Sequence, residues 1–311
     1  MHSFTLILDS AAAKAPDLPA TPTVVVPTRH VVGDSNGSRS VVDMLRMTAR
    51  LRRFDAVLFP TNYSFVPVLP GPLVAVVIHD AMPETMSELL PSARARMFWN
   101  LKNRLVRQRA DIVATVSRAS ATEISRVMRL DAGKLVLLTE GASSIFSPRA
   151  AAGDDERVRE TIGEPGSFVL YVGGLSPHKR VPDLIRAFGR IAGHPRKQDL
   201  RLILVGPEGK DTFTADTSGV SGALSSIGEL ATRVVRTGLV SDATLAALYR
   251  CASCVVLPSR MEGFGLPALE AMASGAPLIA ARNPALQEIC GDAAVFVDEM
   301  ENLAAAIDQL L

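Results

Sequence analysis

The stretch SCVVLPSRMEGFGLPALEAMASG, residues 253–275, decides the fold. An apolar run rich in β-branched residues ends at Leu257, a Gly-rich segment follows, and Pro267 fits the first position of a helix. A strand, a loop and a helix in succession are implied. The pattern repeats along the chain. Candidate strands are Phe4–Leu8, Thr23–Val26, Asp55–Phe59, Leu73–Ile78, Asp111–Thr115 and Lys134–Leu138, then Phe168–Val172, Leu200–Val205, Arg233–Arg236, Ser253–Leu257, Pro277–Ala280 and Ala294–Val297. Helical periodicity lies between them at Ser40–Leu51, Ala93–Arg109, Ala119–Met128, Val181–Ala192, Asp242–Cys251 and Leu266–Ala273. Continuous apolar strands alternating with helices predict parallel sheets covered on both faces. Ser147–Gly166 is rich in Pro, Ala, Gly and acids and has no apolar periodicity before Val158, so a domain boundary is expected there. The predicted architecture is α/β: two Rossmann-like, doubly wound domains, residues 1–150 and 151–311, facing a cleft. Ala11–Pro22 and Gly206–Ser221 are expected to be long loops.

Composition narrows the function. The 311 residues are 48% hydrophobic and 21% charged, as in a globular protein. Lys plus Arg total 33 against 32 acids, a net charge of +1 that gives no reason to expect nucleic acid. Residues 1–150 carry 18 basic and 12 acidic side chains (+6), and residues 151–311 carry 15 and 20 (−5), so the two halves present different surfaces. Three cysteines rule out a disulfide framework, and Cys251 and Cys254 are expected to be small buried hydrophobes. No run approaches the length of a membrane span, and MHSFTLILDS lacks a basic n-region, so a cytosolic protein is expected.

Three segments carry chemistry. In residues 258–275 the amides near Gly265 and Leu266 fall at a helix N-terminus, which suits an anion, and the glycines allow close backbone approach. Glu262 in the loop and Glu270 one turn into the helix can face one crevice and accept hydrogen bonds from sugar and ribose hydroxyls. An ordinary strand–loop–helix corner with two exposed glutamates is the alternative. The second segment, YVGGLSPHKR at 171–180, also joins a strand to a helix. Gly173 and Gly174 bring the chain near a ligand, and Lys179 and Arg180 put positive charge beside helix amides, which suits a diphosphate. A solvated basic helix start is the alternative. In the third, VVIHDAMP at 76–83, His79 ends an apolar strand, and Asp80 either orients it or serves the turn.

Together these segments resemble the retaining GT-B glycosyltransferases of family 4, the "glycosyl transferases group 1" set. The resemblance runs from about Pro72 to Leu311. It rests on His79-Asp80, Val116-Ser117, YVGGLSPHK at 171–179, LVGP at 204–207, G-x-V-S-D and L-x-x-L-Y within Gly238–Tyr249, and above all the E-x7-E spacing from Glu262 to Glu270. It implies a hexosyltransferase, mannosyltransferase-like and of polysaccharide biosynthesis, that uses a nucleotide-sugar donor and a glycan or lipid-linked acceptor without a cofactor or metal. Glu270 would bind the ribose. Glu262 with Gly263, Phe264, Gly265 and Leu266 would contact sugar and phosphates, and Lys179 would neutralise the leaving diphosphate. His79 would lie near the reacting carbon. Many relatives have Arg where this chain has Gly174, so Arg180 is the candidate replacement. Family members also have a strand–loop–helix before His2–Asp9 and crossover helices after Leu311, so both domains are expected to be shortened. A nucleotide-sugar-binding remnant without catalysis is therefore the second reading, and a sugar-nucleotide epimerase, disfavoured by EGFGLP, the third.

Ser92–Ala110 holds Arg94, Arg96, Lys102, Arg104, Arg107 and Arg109 with no acid, beside Met97, Phe98, Trp99, Leu101 and Leu105. Two readings stand: an ordinary domain helix with its apolar stripe in the core, or a peripheral contact with an anionic membrane.

Overall fold

The computed structural model describes residues 3–15, 18–29, 40–86, 90, 92–164, 166–207 and 218–311. Two compact units result. Unit 1 comprises Met1–Val116 and Ser120–Leu138, and unit 2 comprises Ser117–Ala119 and Thr139–Leu311. Each of the twelve strands expected from the sequence is present, with ends shifted by at most two residues.

Unit 2 contains α5 (Asp154–Ile162), β7 (Phe168–Val172), α6 (Val181–Ala192), β8 (Arg201–Val205), α7 (Ser218–Ser226) and β9 (Val234–Gly238). It continues with α8 (Asp242–Cys251), β10 (Cys254–Leu257), α9 (Leu266–Ala273), β11 (Leu278–Ala281), α10 (Pro284–Cys290), β12 (Val295–Val297) and α11 (Leu303–Leu310). The strands form one parallel sheet in the order β12-β11-β10-β7-β8-β9. Alternate residues serve opposite faces. Val169, Leu202, Val256 and Ile279 pack with α6, α7 and α11, while Leu170, Ile203, Val255 and Leu278 pack with α5, α8, α9 and α10. Both faces are therefore dry, which is why these strands read as unbroken apolar runs. In α6, Val181, Leu184, Ile185, Phe188 and Ile191 are buried at the spacing that puts one face on the sheet.

Helices lie in the expected boundary segment and at the end of one expected loop. The Ser147–Gly166 break contains α5, whose Val158 and Ile162, one turn apart, are its apolar anchors. Asp154, Asp155 and Glu156 fill its first turn, where the helix dipole favours acids. In the stretch Gly206–Ser221, residues 208–217 lie outside the described residues, and α7 begins at Ser218. Ala11–Pro22 is loop with a single 3-10 turn at Ala12–Lys14, and residues 16 and 17 lie outside the described residues.

Unit 1 contains β1 (Leu6–Asp9), β2 (Thr23–Val26), α1 (Val41–Leu51), β3 (Ala56–Phe59), β4 (Leu73–Val77), α2 (Met82–Thr85), α3 (Ala93–Arg109), β5 (Ile112–Thr115), α4 (Arg118–Met128) and β6 (Leu135–Leu137). β3-β4-β5-β6 form a parallel sheet in sequence order, and β1 and β2 pair in parallel as a separate ribbon. Val26 and, partly buried, Ile7 join the core made by Val57, Val74, Val76 and Val113, so the ribbon packs on the same core. Ser40 and Ser92 cap α1 and α3 by accepting the Asp43 and Ala95 amides.

Cys254 is buried, but Cys251, at the end of α8, is exposed, which corrects half of the expectation for that pair. Burial pushes the Cys254 thiol up to about 12, the direction of an inert packing residue.

Candidate functional site

In unit 2 the chain runs β7, β8, β9 toward one edge and β10, β11, β12 toward the other. The order therefore reverses between the neighbours β7 and β10. Sheets of this kind bind ligands beyond the strand carboxyl ends at such a reversal. The two loops that leave there are residues 173–180 and 258–265, the two basic and Gly-rich segments read from the sequence.

Both loops are tightly held. The Gly173 amide donates to the Val205 carbonyl at 2.9 Å, and the Tyr171 hydroxyl donates to the Gly174 carbonyl at 2.5 Å. A Cβ on Gly206 would lie 2.0 Å from the Gly173 carbonyl oxygen, so only hydrogen fits there. Pro177–Lys179 form one 3-10 turn, and Arg180 then takes left-handed backbone angles (φ 54, ψ 30) as it enters α6. For a non-glycine residue this costs about 1–2 kcal/mol, a local strain that concentrates at functional sites. In the other loop, Gly265 (φ 103) caps α9 where a Cβ would come 2.7 Å from Leu286 Cδ2. At the start of α9 the Ala268 and Leu269 amides donate to the Gly265 carbonyl at 2.9 and 3.2 Å, and Pro267 has no N–H to offer, so Leu266 is the first-turn amide without a partner in the helix.

The two loops meet. The Arg260 amide donates to the His178 carbonyl at 2.8 Å. Lys179 Nζ donates to Glu262 Oε1 and Oε2 at 2.6 and 2.8 Å, with the side chains only 20% and 10% exposed. A cation and a carboxylate 83 residues apart in sequence thus share one recess beside the start of α9. Ser117, which belongs to this unit, donates its hydroxyl to the Gly263 carbonyl at 2.6 Å. Asn283 Nδ2 donates to the Ser259 carbonyl at 2.9 Å while its Oδ1 caps α10.

Glu270 is held separately. The Tyr249 hydroxyl donates to its Oε2 at 3.1 Å. Burial lifts the Glu270 carboxyl above its usual range; the Tyr249 hydrogen bond opposes the rise and Asp242 adds to it. Arg180 is also engaged, with Nε 3.0 Å from Asp183 Oδ2 in the first turn of α6. Phe264 is 6% exposed, so its ring packs inside. In unit 1, His79 is exposed at the carboxyl end of β4, with Nε2 3.2 Å from the Pro60 carbonyl. Asp80 serves the turn, accepting the Met82 amide at 2.8 Å. Among the described residues, no group of three or more His, Cys, Asp or Glu is placed to hold a metal ion.

Residues 166–311 match the family described as glycosyl transferases group 1. This part of unit 2 belongs to that family. Among its group 1 relatives, O-antigen chain mannosyltransferase B of Escherichia coli is 31% identical over 239 residues, covering 75% of this chain and 60% of the relative. The MMP alpha-(1->4)-mannosyltransferase of Mycolicibacterium hassiacum is 31% identical over 258 residues, covering 77% and 56%. The chain thus spans somewhat over half the length of these relatives. In structure, sucrose-phosphate synthase of Thermosynechococcus elongatus superposes with a TM-score of 0.71 at 20% identity, covering 98% of this chain and 79% of that one. HepE of Anabaena, solved with UDP-glucose, superposes with a TM-score of 0.71 at 21% identity, covering 93% and 76%. These likenesses establish the GT-B fold.

In this group 1 segment the sequence points to Lys179, Glu262 and Glu270 but not to three of the groups around them. Asp183 lies three residues after Arg180, a helical ion-pair spacing that was open to reading. Tyr171 and Tyr249, fully buried with polar tips satisfied inside the unit, carried a weaker signal: a phenol in an apolar run needs a partner.

Proposed function

We propose that this group 1 chain moves a hexose from a nucleotide-diphosphate sugar to a glycan or glycolipid acceptor with retention of configuration. Unit 2 takes the donor and unit 1 the acceptor. The observation that carries the proposal is the Lys179–Glu262 pair beside the amide end of α9 at the strand-order reversal. Breaking the bond from sugar C1 to the diphosphate oxygen leaves an electron pair, and growing negative charge, on the departing nucleotide. Preorganised donors aimed at such charge are usually the largest catalytic term. Lys179 and the amides at Gly265 and Leu266 supply them, with Gly173, Gly174 and Arg180 lining the approach. Glu262 holds Lys179 in place and accepts from sugar hydroxyls, and Glu270 accepts from the ribose. The acceptor oxygen bonds to C1 on the face the diphosphate leaves, and its proton passes to a departing phosphate oxygen. His79 positions the acceptor. No step needs a metal.

Incubating the chain with GDP-mannose, UDP-glucose and UDP-GlcNAc, with NMR of the anomeric products, tests this. One donor is expected to release nucleotide and yield a product with the donor's anomeric configuration. Nucleotide binding without sugar release from any donor would reduce the chain to a binding protein, and an inverted product would overturn retention.

The names of two relatives, both mannosyltransferases, one of an O-antigen chain, favour mannose and a large or lipid-linked acceptor. So does α3. Trp99 turns inward at 8% exposure and Leu105 partly, whereas Met97, Phe98 and Leu101 stand out at 60%, 53% and 52%. Arg94 lies 5.6 Å from the Phe98 ring centroid, and Arg96 and Arg104 are exposed nearby. No described helix is long and apolar enough to cross a membrane. The proposal therefore includes peripheral contact through this face at the cytoplasmic surface. Replacing Met97, Phe98 and Leu101 together by serine is expected to weaken flotation with anionic vesicles by at least roughly tenfold, since each apolar side chain withdrawn from water contributes about 1.5–3 kcal/mol. Absence of salt-sensitive vesicle binding in the unsubstituted chain would remove the membrane from the proposal.

A further inference from the structure

Tyr249 stands near the end of α8, closed to solvent, in the layer of unit 2 core that α5, α8, α9 and α10 share. Its ring meets Phe146 edge-on, with centroids 5.8 Å apart and planes at 78°. Only two torsions separate a tyrosine oxygen from the backbone, so a ring enclosed in this way has one place to put its hydroxyl. That place is Glu270 Oε2, 3.1 Å away on α9. The choice of partner is informative. Tyr171, the other buried phenol of this unit, donates to the Gly174 carbonyl, a backbone atom that is fixed already. A hydroxyl that needed no more than an acceptor is satisfied in that manner. Tyr249 instead takes hold of a long, half-buried side chain and removes its rotamer freedom.

One carboxylate oxygen is used and the other is not. Among the described residues Glu270 Oε1 has no hydrogen-bond partner, and it is open to solvent. Burial favours the protonated carboxyl, as does the charge of Asp242 in the first turn of α8, and the Tyr249 hydrogen bond opposes both. A protonated carboxyl turns one of its oxygens into a donor. By occupying Oε2 with its own proton, the phenol keeps Oε1 an acceptor.

We infer that Tyr249 is a positioning residue that sets selectivity for a ribonucleotide, fixing the Glu270 carboxylate through Oε2 so that Oε1 is ready for a ribose hydroxyl. The inference rests on the reading of Glu270 as the ribose acceptor and deepens it. Being closed to solvent, the phenol does not touch the nucleotide and acts through the carboxylate. A sugar without the two ribose hydroxyls brings no donor to Oε1. The oxygen then gives up water without replacement, and a preordered acceptor makes that mismatch costly, because it cannot swing away to find another partner.

Calorimetric titration of the whole chain with UDP, GDP and ADP, each beside its 2′,3′-dideoxy counterpart, is the test. At least one nucleotide is expected to bind roughly tenfold or more tightly in its ribose form than in its dideoxy form. Tyr249→Phe keeps the ring and deletes only the hydroxyl. It is expected to reduce that preference about five- to tenfold while leaving the dideoxy affinity unchanged. The preference is a ratio measured within one chain, so a smaller folded fraction does not move it. In the Glu270→Ala chain the same substitution is expected to have no further effect on binding, as two groups acting through one contact require. Two kinds of failure are distinguishable. Absence of any preference, or a preference that survives Glu270→Ala, would take the ribose away from Glu270 and this inference with it. A preference lost with Glu270→Ala but kept in Tyr249→Phe would overturn the role of Tyr249 alone. So would a Tyr249→Phe chain that loses both forms equally, or one in which the substitution still acts once Glu270 is gone.

Discussion

Replacing Lys179 by alanine is expected to slow sugar transfer about a hundred- to a thousandfold, a loss of roughly 2.7–4 kcal/mol of transition-state stabilisation on the scale of one removed oxyanion donor. The ammonium is only 20% exposed and is fixed by two short contacts to Glu262, so it does not have to be ordered when charge develops. Removing it has a second effect. Glu262, 10% exposed, loses its cation and stands as an uncompensated carboxylate beside a diphosphate. The Glu262→Gln chain separates the two contributions: it keeps the ammonium, discards the negative charge, and is expected to lose less in kcat than Lys179→Ala. Steady-state rates with the donor identified by the nucleotide-sugar screen provide the measurement. Near-unchanged turnover in Lys179→Ala would remove the lysine from the reaction and leave the pair a structural clasp.

The second large effect is on stability. Arg250 at the end of α8 donates from Nε and Nη2 to the two oxygens of Asp154 at 2.7 and 2.9 Å, and both side chains are 8% exposed. Asp154 also accepts the Ala151 amide at 2.8 Å, and Arg250 reaches the Ser147 carbonyl at 3.3 Å. The pair thus fastens the first turn of α5 to α8. Asp154→Ala is expected to cost about 3–5 kcal/mol, because a buried guanidinium is left without its counter-charge. The Asp154→Ala/Arg250→Met chain should recover much of that loss, since no charge then remains buried. Urea denaturation of the three chains decides the matter; a double variant no more stable than Asp154→Ala would show that packing, not charge, sets the cost.

The same pair has a pH signature. Hydrogen bonds from Arg250 hold the Asp154 carboxyl below its ordinary range, with burial opposing and the Ala151 amide assisting. A carboxyl depressed on folding binds its proton more readily when unfolded, so the native state gains as that proton leaves. The stabilisation is complete above the unfolded carboxylate range near about pH 4 and disappears as pH falls through the lower folded value.

The sheet of unit 2 was legible because its strands are dry on both faces, leaving no polar residue to interrupt Phe168–Val172 or Leu278–Ala281. α5 escaped notice for the opposite reason: it packs through two apolar residues, Val158 and Ile162, amid seven polar ones. Its acidic first turn and the glycine after Ile162 were signals that periodicity alone does not weigh. The apolar residues of α3 were legible as a group, but not their division between an inward Trp99 and an outward Met97, Phe98 and Leu101, because the faces a helix buries depend on its neighbours. The site followed the same rule. Each Gly-rich loop was visible by itself, but the meeting of Lys179 with Glu262 depends on β7 lying next to β10, and strand order is not written in local periodicity.

The hydrogen-only fit of Gly206 against the Gly173 carbonyl bears on any attempt to change donor preference by grafting. A loop imported at 173–180 carries its own backbone path, and the host position 206 tolerates only a path like the present one. The two positions must travel together. Recombination points placed before Phe168 and after Gly206 would move them as one cassette, whereas a cut between β7 and β8 would pair a carbonyl with a partner never fitted to it.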